Sequence, residues 1–327
     1  MRSKSKRNKQ KDWHVLMEEL VSTVPFFKFG IVKAAATATL RTLCASKEIN
    51  GLWEQCQAYA SSHGMSPHTV FAAQYFYDLA QLSLAQAPAA CTVGSYKGHF
   101  VRYLDWAIPE GMGEYTQVED HTAVARKYQA IGFPGFFGLV TAVGDVCFAF
   151  NQMPSEHIDK RGLPTNYWAK LFYERVIRNH RGGETPLLAA VIRVLRLMRG
   201  DKSFPMSSGC IVLTDKDYNV RVSIHPGTET EMVMSSTEKV LVQANRFLDK
   251  RHKDYNDLMD DDCEEFSVER EKQMKYCIRR IAAAKTPVKA AEMALGMDEP
   301  VCNEATANVT YFNFGTKDVA LLKLPEG

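Results

Sequence analysis

Residues 89–106 read AACTVGSYKGHFVRYLDW. Small residues behind Pro88 lead to Cys91. From there the alternation reads as a strand, a turn holding Gly98 and a second strand. Upstream the texture is helical. In WHVLMEELV (13–21) apolar residues at 13, 16, 17, 20 and 21 share one face of a helix. GLWEQCQAYASSHG (51–64) is a second helix, ended by Gly64. SPHTVFAAQYFYDLAQLSLAQ (66–86) is a third, with Ser66 as candidate N-cap and Pro67 at the first helical position. The texture changes at residue 91. The chain is therefore expected to divide into a basic tail (1–12), a helical segment (13–90) and a larger domain (91–327).

Beyond residue 106, GFFGLVTAVGDVCFAFNQ (135–152) is β-rich, with Gly144-Asp145 as a hairpin turn. TNYWAKLFYERVIRNH (165–180) and TPLLAAVIRVLRLMR (185–199) are amphipathic helices. SGCIVLTDKDYNVRVSIHPG (208–227) is a hairpin about TDKDYN, and EKVLVQANRF (238–247) is a further strand. DKRHKDYNDLMDDDCEE (249–265) reads as a charged loop, and SVEREKQMKYCIRRIAAA (267–284) as a helix capped by Ser267. ATANVTYFNFGTKDVALLKLP (305–325) closes as two strands about FGTKD. Strand runs separated by helix pairs predict an α+β fold in four layers, αββα: two sheets face to face, with helices outside both.

The 327 residues suit one large domain with a helical appendage. With 46% hydrophobic and 24% charged residues, the composition is that of an ordinary globular chain. A net charge of +2 gives no bulk attraction to nucleic acid. The exception is MRSKSKRNKQKD (1–12), where six of twelve residues are Lys or Arg. It is either a solvated tail or a weak contact with an anionic membrane surface. Neither a secretory signal nor a membrane-spanning run is legible, so the expectation is cytoplasmic. The eight cysteines include no C-x-x-C pair, which is neither a zinc pattern nor a dense disulfide framework. No metal or organic cofactor is expected.

Cys91 is read in two ways. Free cysteine is among the most buried residue types, so it can be structural. Three features favour a nucleophile: its place at the change of texture, the small residues before it, and Arg102 and Asp105 on the returning strand. In that chemistry the Cys91 thiol attacks the carbonyl of Ala90, and water then releases residue 91 as a new N-terminus. The freed α-amine has a reference pKa of ~7.7–8.0 and takes the thiol proton. Arg102 favours the thiolate, and Asp105 orients the amine or Arg102. The alternative for Arg102 and Asp105 is a surface ion pair.

Cys-Thr, a short hairpin and Arg-x-x-Asp-Trp resemble the start of the mature chain of the N-terminal-nucleophile amide hydrolases, the family of choloylglycine hydrolase and penicillin V acylase. DWHVLMEELVSTVPFF and FAAQYFYDLAQLSLAQAPAACT are similar to the small subunit of its acid ceramidase and N-acylethanolamine acid amidase branch. The resemblance runs from Trp13 across nearly the whole chain. It implies that Cys91 is the nucleophile with Arg102 and Asp105 beside it. It implies that Asn151 and Asn245 donate to the oxyanion, and that Arg270 completes the set. Read without it, Asn151 and Asn245 are equally turn residues, and Arg270 a helix surface residue.

The resemblance also implies an N-terminal-nucleophile sandwich that cuts itself at Ala90-Cys91. Its two fragments stay associated and hydrolyse a linear amide of an N-acylated lipid or amine. The alternatives are an acylase of the bile-salt or penicillin V type, or a lipid-binding protein that keeps the fold without catalysis. FFKFGIV (26–32) and IGFPGFFGL (131–139) are each either acyl-chain pocket or ordinary core.

Overall fold

The computed structural model describes residues 47–83, 91–105, 112–123, 126–153, 155, 158–159, 161–180, 185–200, 204–226, 230–236, 239–248, 253–258, 261–303 and 306–324. Helices α1 (Lys47–His63) and α2 (Pro67–Ser83) come first. Six strands follow: β1 (Cys91–Tyr96), β2 (His99–Asp105), β3 (Gln117–Ala123), β4 (Arg126–Gly132), β5 (Thr141–Gly144) and β6 (Cys147–Gln152). Helices α3 (Thr165–His180) and α4 (Leu187–Gly200) precede β7 (Gly209–Thr214), β8 (Tyr218–Ile224), β9 (Thr230–Ser236) and β10 (Leu241–Gln243). Helices α5 (Asp261–Ala282) and α6 (Pro287–Leu295), then β11 (Thr306–Asn313) and β12 (Val319–Lys323), complete the order.

The strands form two antiparallel sheets. One has five strands in the order β10-β1-β2-β11-β12; the other is a seven-stranded meander from β3 to β9. Alternation assigns the faces. Val93, Phe100 and Phe312 of the first sheet meet Ile131, Val143, Cys147, Ala149 and Val212 of the second in one buried cluster. The opposite face of the first sheet, with Val101, Tyr103, Val309 and Tyr311, packs on Met274 and Ile278 of α5 and Ala290 and Ala294 of α6. The outer face of the second sheet, with Phe148, Phe150, Ile211, Leu213, Val220 and Val222, is covered by α1 to α4. The fold is thus mixed α+β, with two antiparallel sheets and six helices among the described residues, an arrangement compatible with an α+β sandwich.

The β1–β2 hairpin turns at Lys97 and Gly98, both with positive φ (47° and 76°). That is the twist a two-residue hairpin turn requires. The resulting register sets Cys91 opposite Leu104 and Val93 opposite Arg102. Gly94 lies on the face toward α5, where a Cβ would stand 2.7 Å from Met274 Sδ, so its missing side chain lets α5 approach β1 closely.

Several expectations are corrected. Ser267 is no N-cap, because α5 already begins at Asp261 and Ser267 lies inside it. The charged stretch before it is not all loop: Lys253–Leu258 form a 3-10 turn, and Asp261, Asp262 and Glu264 occupy the first turn of α5, where acidic residues favour a helix N-terminus. The strand read in 238–247 is shorter, covering Leu241–Gln243. Strands β3, β4 and β9 and helix α6 carried no sequence assignment. Asn308-Val309-Thr310 has the form of a glycosylation sequon, but Asn308 sits in β11, paired on both sides and buried.

The 13–21 helix, residues 26–32, Cys44 and Ala90 lie outside the described residues. The other seven cysteines are free thiols. Residues 131–139 dock against the N-terminal helices. Gln74 donates to Gly135 O at 2.9 Å and accepts from Phe137 N at 2.9 Å, and Tyr59 meets the Phe137 ring edge-on. These contacts tie that stretch to α1 and α2. Among the described residues no helix is long and apolar enough to cross a membrane.

Candidate active site

Cys91 is the first residue of β1 and is fully buried. By strand parity its side chain shares the inter-sheet face with Val93 and Ser95, and Ser95 Oγ bonds Asn219 of the second sheet at 2.7 Å. Thr92 shares the opposite face with Gly94, toward α5. The site therefore straddles the end of one strand, and side chains of both faces converge on it.

Arg102 lies on the inter-sheet face. It donates through Nη1 to Asn151 Oδ1 and through Nη2 to Phe150 O at 2.6 Å, both on β6. Among the described residues no carboxylate stands within 4 Å of it to form an ion pair. Asp105, three residues on, has the other parity and points to the helix face. Its carboxylate accepts from Thr306 Oγ1 at 2.7 Å and from Asn303 Nδ2 at 3.4 Å, and pairs with Arg270 at 3.6 Å. The expected Arg102–Asp105 pair is thus replaced by Arg270–Asp105, because an odd spacing on a strand sends two side chains to opposite faces.

Arg270 is fully buried on α5. Besides Asp105 it reaches Thr92 Oγ1 at 2.9 Å, Ser267 Oγ at 3.1 Å and Asn245 Oδ1 at 3.4 Å. The hydroxyl of Ser267 serves Arg270 rather than a helix end. Asn245 follows β10. Its Oδ1 accepts the backbone N–H of Cys91, and its Nδ2 donates to Gln152 O at 2.9 Å. Asn151 Nδ2 lies 3.1 Å from Cys91 O, 3.0 Å from Gln243 O and 3.0 Å from Ala244 O, so it stitches β6 to β1 and β10. All six residues singled out in the sequence converge on the start of β1.

Burial pushes the Cys91 thiol up. Arg102 is the largest opposing influence, Asp105 adds to the rise, and Arg270 opposes it. Burial raises the Asp105 carboxyl to about 6 against the pull of Arg270, Thr306 and Arg102. Burial lowers Arg270, which Asp105 resists. Two buried guanidiniums stand against one carboxylate, so the cluster lacks one negative charge. Both guanidiniums favour a thiolate at Cys91, against its burial. Among the described residues no cluster of His, Cys, Asp and Glu could hold a metal ion.

Sequence reading missed Glu271, Gln243 and Thr306, which hold the site's parts in place. Their partners lie far away in the chain, and no local signal marks them. No protein-family model matches this chain, and no curated protein matches it.

Proposed function

We propose that the protein is an N-terminal cysteine amidase of the N-terminal-nucleophile sandwich type, which cuts its own chain at Ala90-Cys91 and then hydrolyses a linear amide of an N-acylated lipid or amine. One observation carries the reading. A buried cysteine opens a strand, its backbone nitrogen already bonded to Asn245, beside two guanidiniums compensated by a single carboxylate.

The first step is attack of Cys91 Sγ on the carbonyl of Ala90. The bond between that carbonyl and the Cys91 nitrogen breaks, leaving a thioester. The thiol proton passes to that nitrogen and the α-amine is freed; water then hydrolyses the thioester, releasing the Ala90 carboxyl and restoring the thiol. Asn245 Oδ1, which accepts the N–H of Cys91 in the uncut chain, then accepts from the amine. That amine takes the thiol proton during attack on a substrate amide and returns it to the departing amine. Arg102 and Arg270 favour the thiolate. Asn245 donates one amide hydrogen to Gln152 O, and its other N–H is the donor assigned to the oxyanion. Asn151 holds the carbonyl of Cys91, and so the peptide on the far side of the nucleophile.

The test is intact mass and N-terminal sequencing of the purified protein beside Cys91→Ala, at neutral and mildly acidic pH. Two fragments in the wild type alone, the larger starting at Cys91, support the reading. A wild-type chain that stays whole at every pH overturns self-processing and favours a binding protein that keeps the fold.

A further inference from the structure

The turn that carries Asn245 is gripped from outside the site. Glu271, next to Arg270 on α5, accepts Ala244 N–H on Oε1 at 3.3 Å. Its Oε2 accepts Arg246 Nε at 3.1 Å and Arg246 Nη2 at 2.9 Å. One carboxylate thus brackets Asn245 through both of its chain neighbours. Two further clamps fix the ends of the turn. Gln243 Nε2 donates to Ala244 O at 3.0 Å and to Arg246 O at 2.7 Å. Asn256 accepts from Phe247 N at 2.8 Å and donates to Phe247 O at 2.9 Å. The turn needs such support because, among the described residues, β10 is the edge strand of its sheet and pairs only with β1.

Consecutive residues of α5 therefore do separate work. Arg270 faces Asp105, Thr92 and Asn245, while Glu271 holds the backbone that presents Asn245. Glu271 is mostly buried, with a side chain 13% exposed, and is matched by Arg246 at 19%. Arg246 also has Glu264 at 3.8 Å, so it keeps a carboxylate neighbour if Glu271 is lost. We infer that Glu271 is a positioning residue for the reaction proposed above: it fixes the turn Ala244–Arg246 so that Asn245 meets the nitrogen of Cys91. The inference rests on the self-cutting reading for its consequence and on the contacts of Glu271 for its geometry.

The experiment compares wild type, Glu271→Gln, Glu271→Ala and Arg246→Met. The cutting rate at Cys91 is followed by intact mass well below each variant's unfolding midpoint. Hydrogen exchange of peptides spanning 241–248 is measured in parallel. Displacing a reacting geometry by about 1 Å costs on the order of 100-fold in rate, so Glu271→Ala is expected to cut ~100-fold more slowly. Glu271→Gln keeps an acceptor for Ala244 N–H, and Arg246→Met keeps Glu271 itself. Each recovers a large part of the rate, and exchange over 241–248 is faster in Glu271→Ala than in either. Glu271→Ala cutting at the wild-type rate overturns the inference. So does a deficit in Glu271→Ala that disappears on cooling, which is the mark of a purely structural role. A wild-type chain that does not cut overturns the reaction rather than the grip. The exchange data then decide alone: protection over 241–248 that is unchanged in Glu271→Ala overturns the grip.

Discussion

Asn245 links the nitrogen of Cys91, Arg270 and the carbonyl of Gln152, so its replacement by alanine removes three contacts at once. Loss of one oxyanion donor costs about 2.7–4 kcal/mol in the barrier. Asn245→Ala should therefore fold and cut at least ~100-fold more slowly, measured as the first-order appearance of the fragment beginning at Cys91. Arg102 is the strongest influence holding the thiol pKa down against burial. In Arg102→Met the thiol pKa moves further up, so the pH–rate curve for cutting shifts to higher pH. The ultraviolet absorbance of the thiolate should show the same shift. An unshifted curve would mean that Arg102 acts only through its bonds to Asn151 and Phe150.

At the scale of elements, the helical segment is seated by a buried carboxylate. Asp78 of α2 accepts from Thr165 N at 3.0 Å, from Thr165 Oγ1 and from Ser207 Oγ. It supplies from a neighbouring helix the acceptor that the free N–H at the start of α3 needs. Asp78→Ala leaves the Thr165 N–H buried without its acceptor, at about 1–3 kcal/mol, while Thr165 Oγ1 and Ser207 Oγ keep each other at 2.8 Å. Its unfolding midpoint in denaturant should fall clearly below that of Asp78→Asn, which retains one acceptor. Equal midpoints would show that water replaces the carboxylate. Gly94 gives a second test. Gly94→Val places its first side-chain carbon against Met274 and drives α5 away from β1, costing about 1–3 kcal/mol as overpacking. It also slows cutting, because Arg270 rides on α5. Cutting at the wild-type rate would mean that Met274 moves aside and α5 stays.

For the whole molecule the buried carboxylates set a pH dependence. Burial raises Asp78 and Asp105 to about 6, above the unfolded value near ~3.9. The folded state therefore holds these protons more tightly than the unfolded chain. The stability they contribute is fully present below about pH 4 and is lost as pH rises through about 6. For Asp78 this amounts to on the order of 2–3 kcal/mol. Glu119, half-exposed and lowered by its bond to His121, and His99, lowered by burial, work in the opposite sense. The protein should be more resistant to denaturant in mild acid than at neutral pH. Asp78→Asn should flatten that difference, as read from unfolding midpoints across the range. A wild type that weakens steadily on acidification would contradict the assignment.

How much was legible depended on where each signal lies. The β1–β2 hairpin could be read because alternation and Gly98 are local features, and Cys91 stood out because the texture changes there. Helix α6 has a locally readable start, with Thr286 capping Lys289 N and Pro287 at the first helical position. Strands β3 and β4 hid because Gln117–Ala123 is polar and largely exposed, so no apolar alternation marks it. Ser267 looked like a cap because a serine ahead of a charged helical run has that local form. Only the start of α5 at Asp261 and the bond to Arg270 reassign it.

The amino-acid sequence by itself determined the elements whose signals are local: helical texture before residue 91, the hairpin after it, the later helices and hairpins, and thus an α+β chain with a cysteine at the junction. It marked Cys91, Arg102 and Asp105 by their places about the hairpin, while Asn151, Asn245 and Arg270 were singled out only by the family resemblance. Only the tertiary structure decided which partners they have. Arg102 and Asp105 are neighbours in sequence, yet they part to opposite faces of β2, and Asp105 meets Arg270 from α5. Asn245 meets Cys91 across 154 positions, and Glu271 holds the turn between. Such pairings follow from strand parity, sheet order and the packing of α5 on β1, none of which is written in any single stretch of the chain.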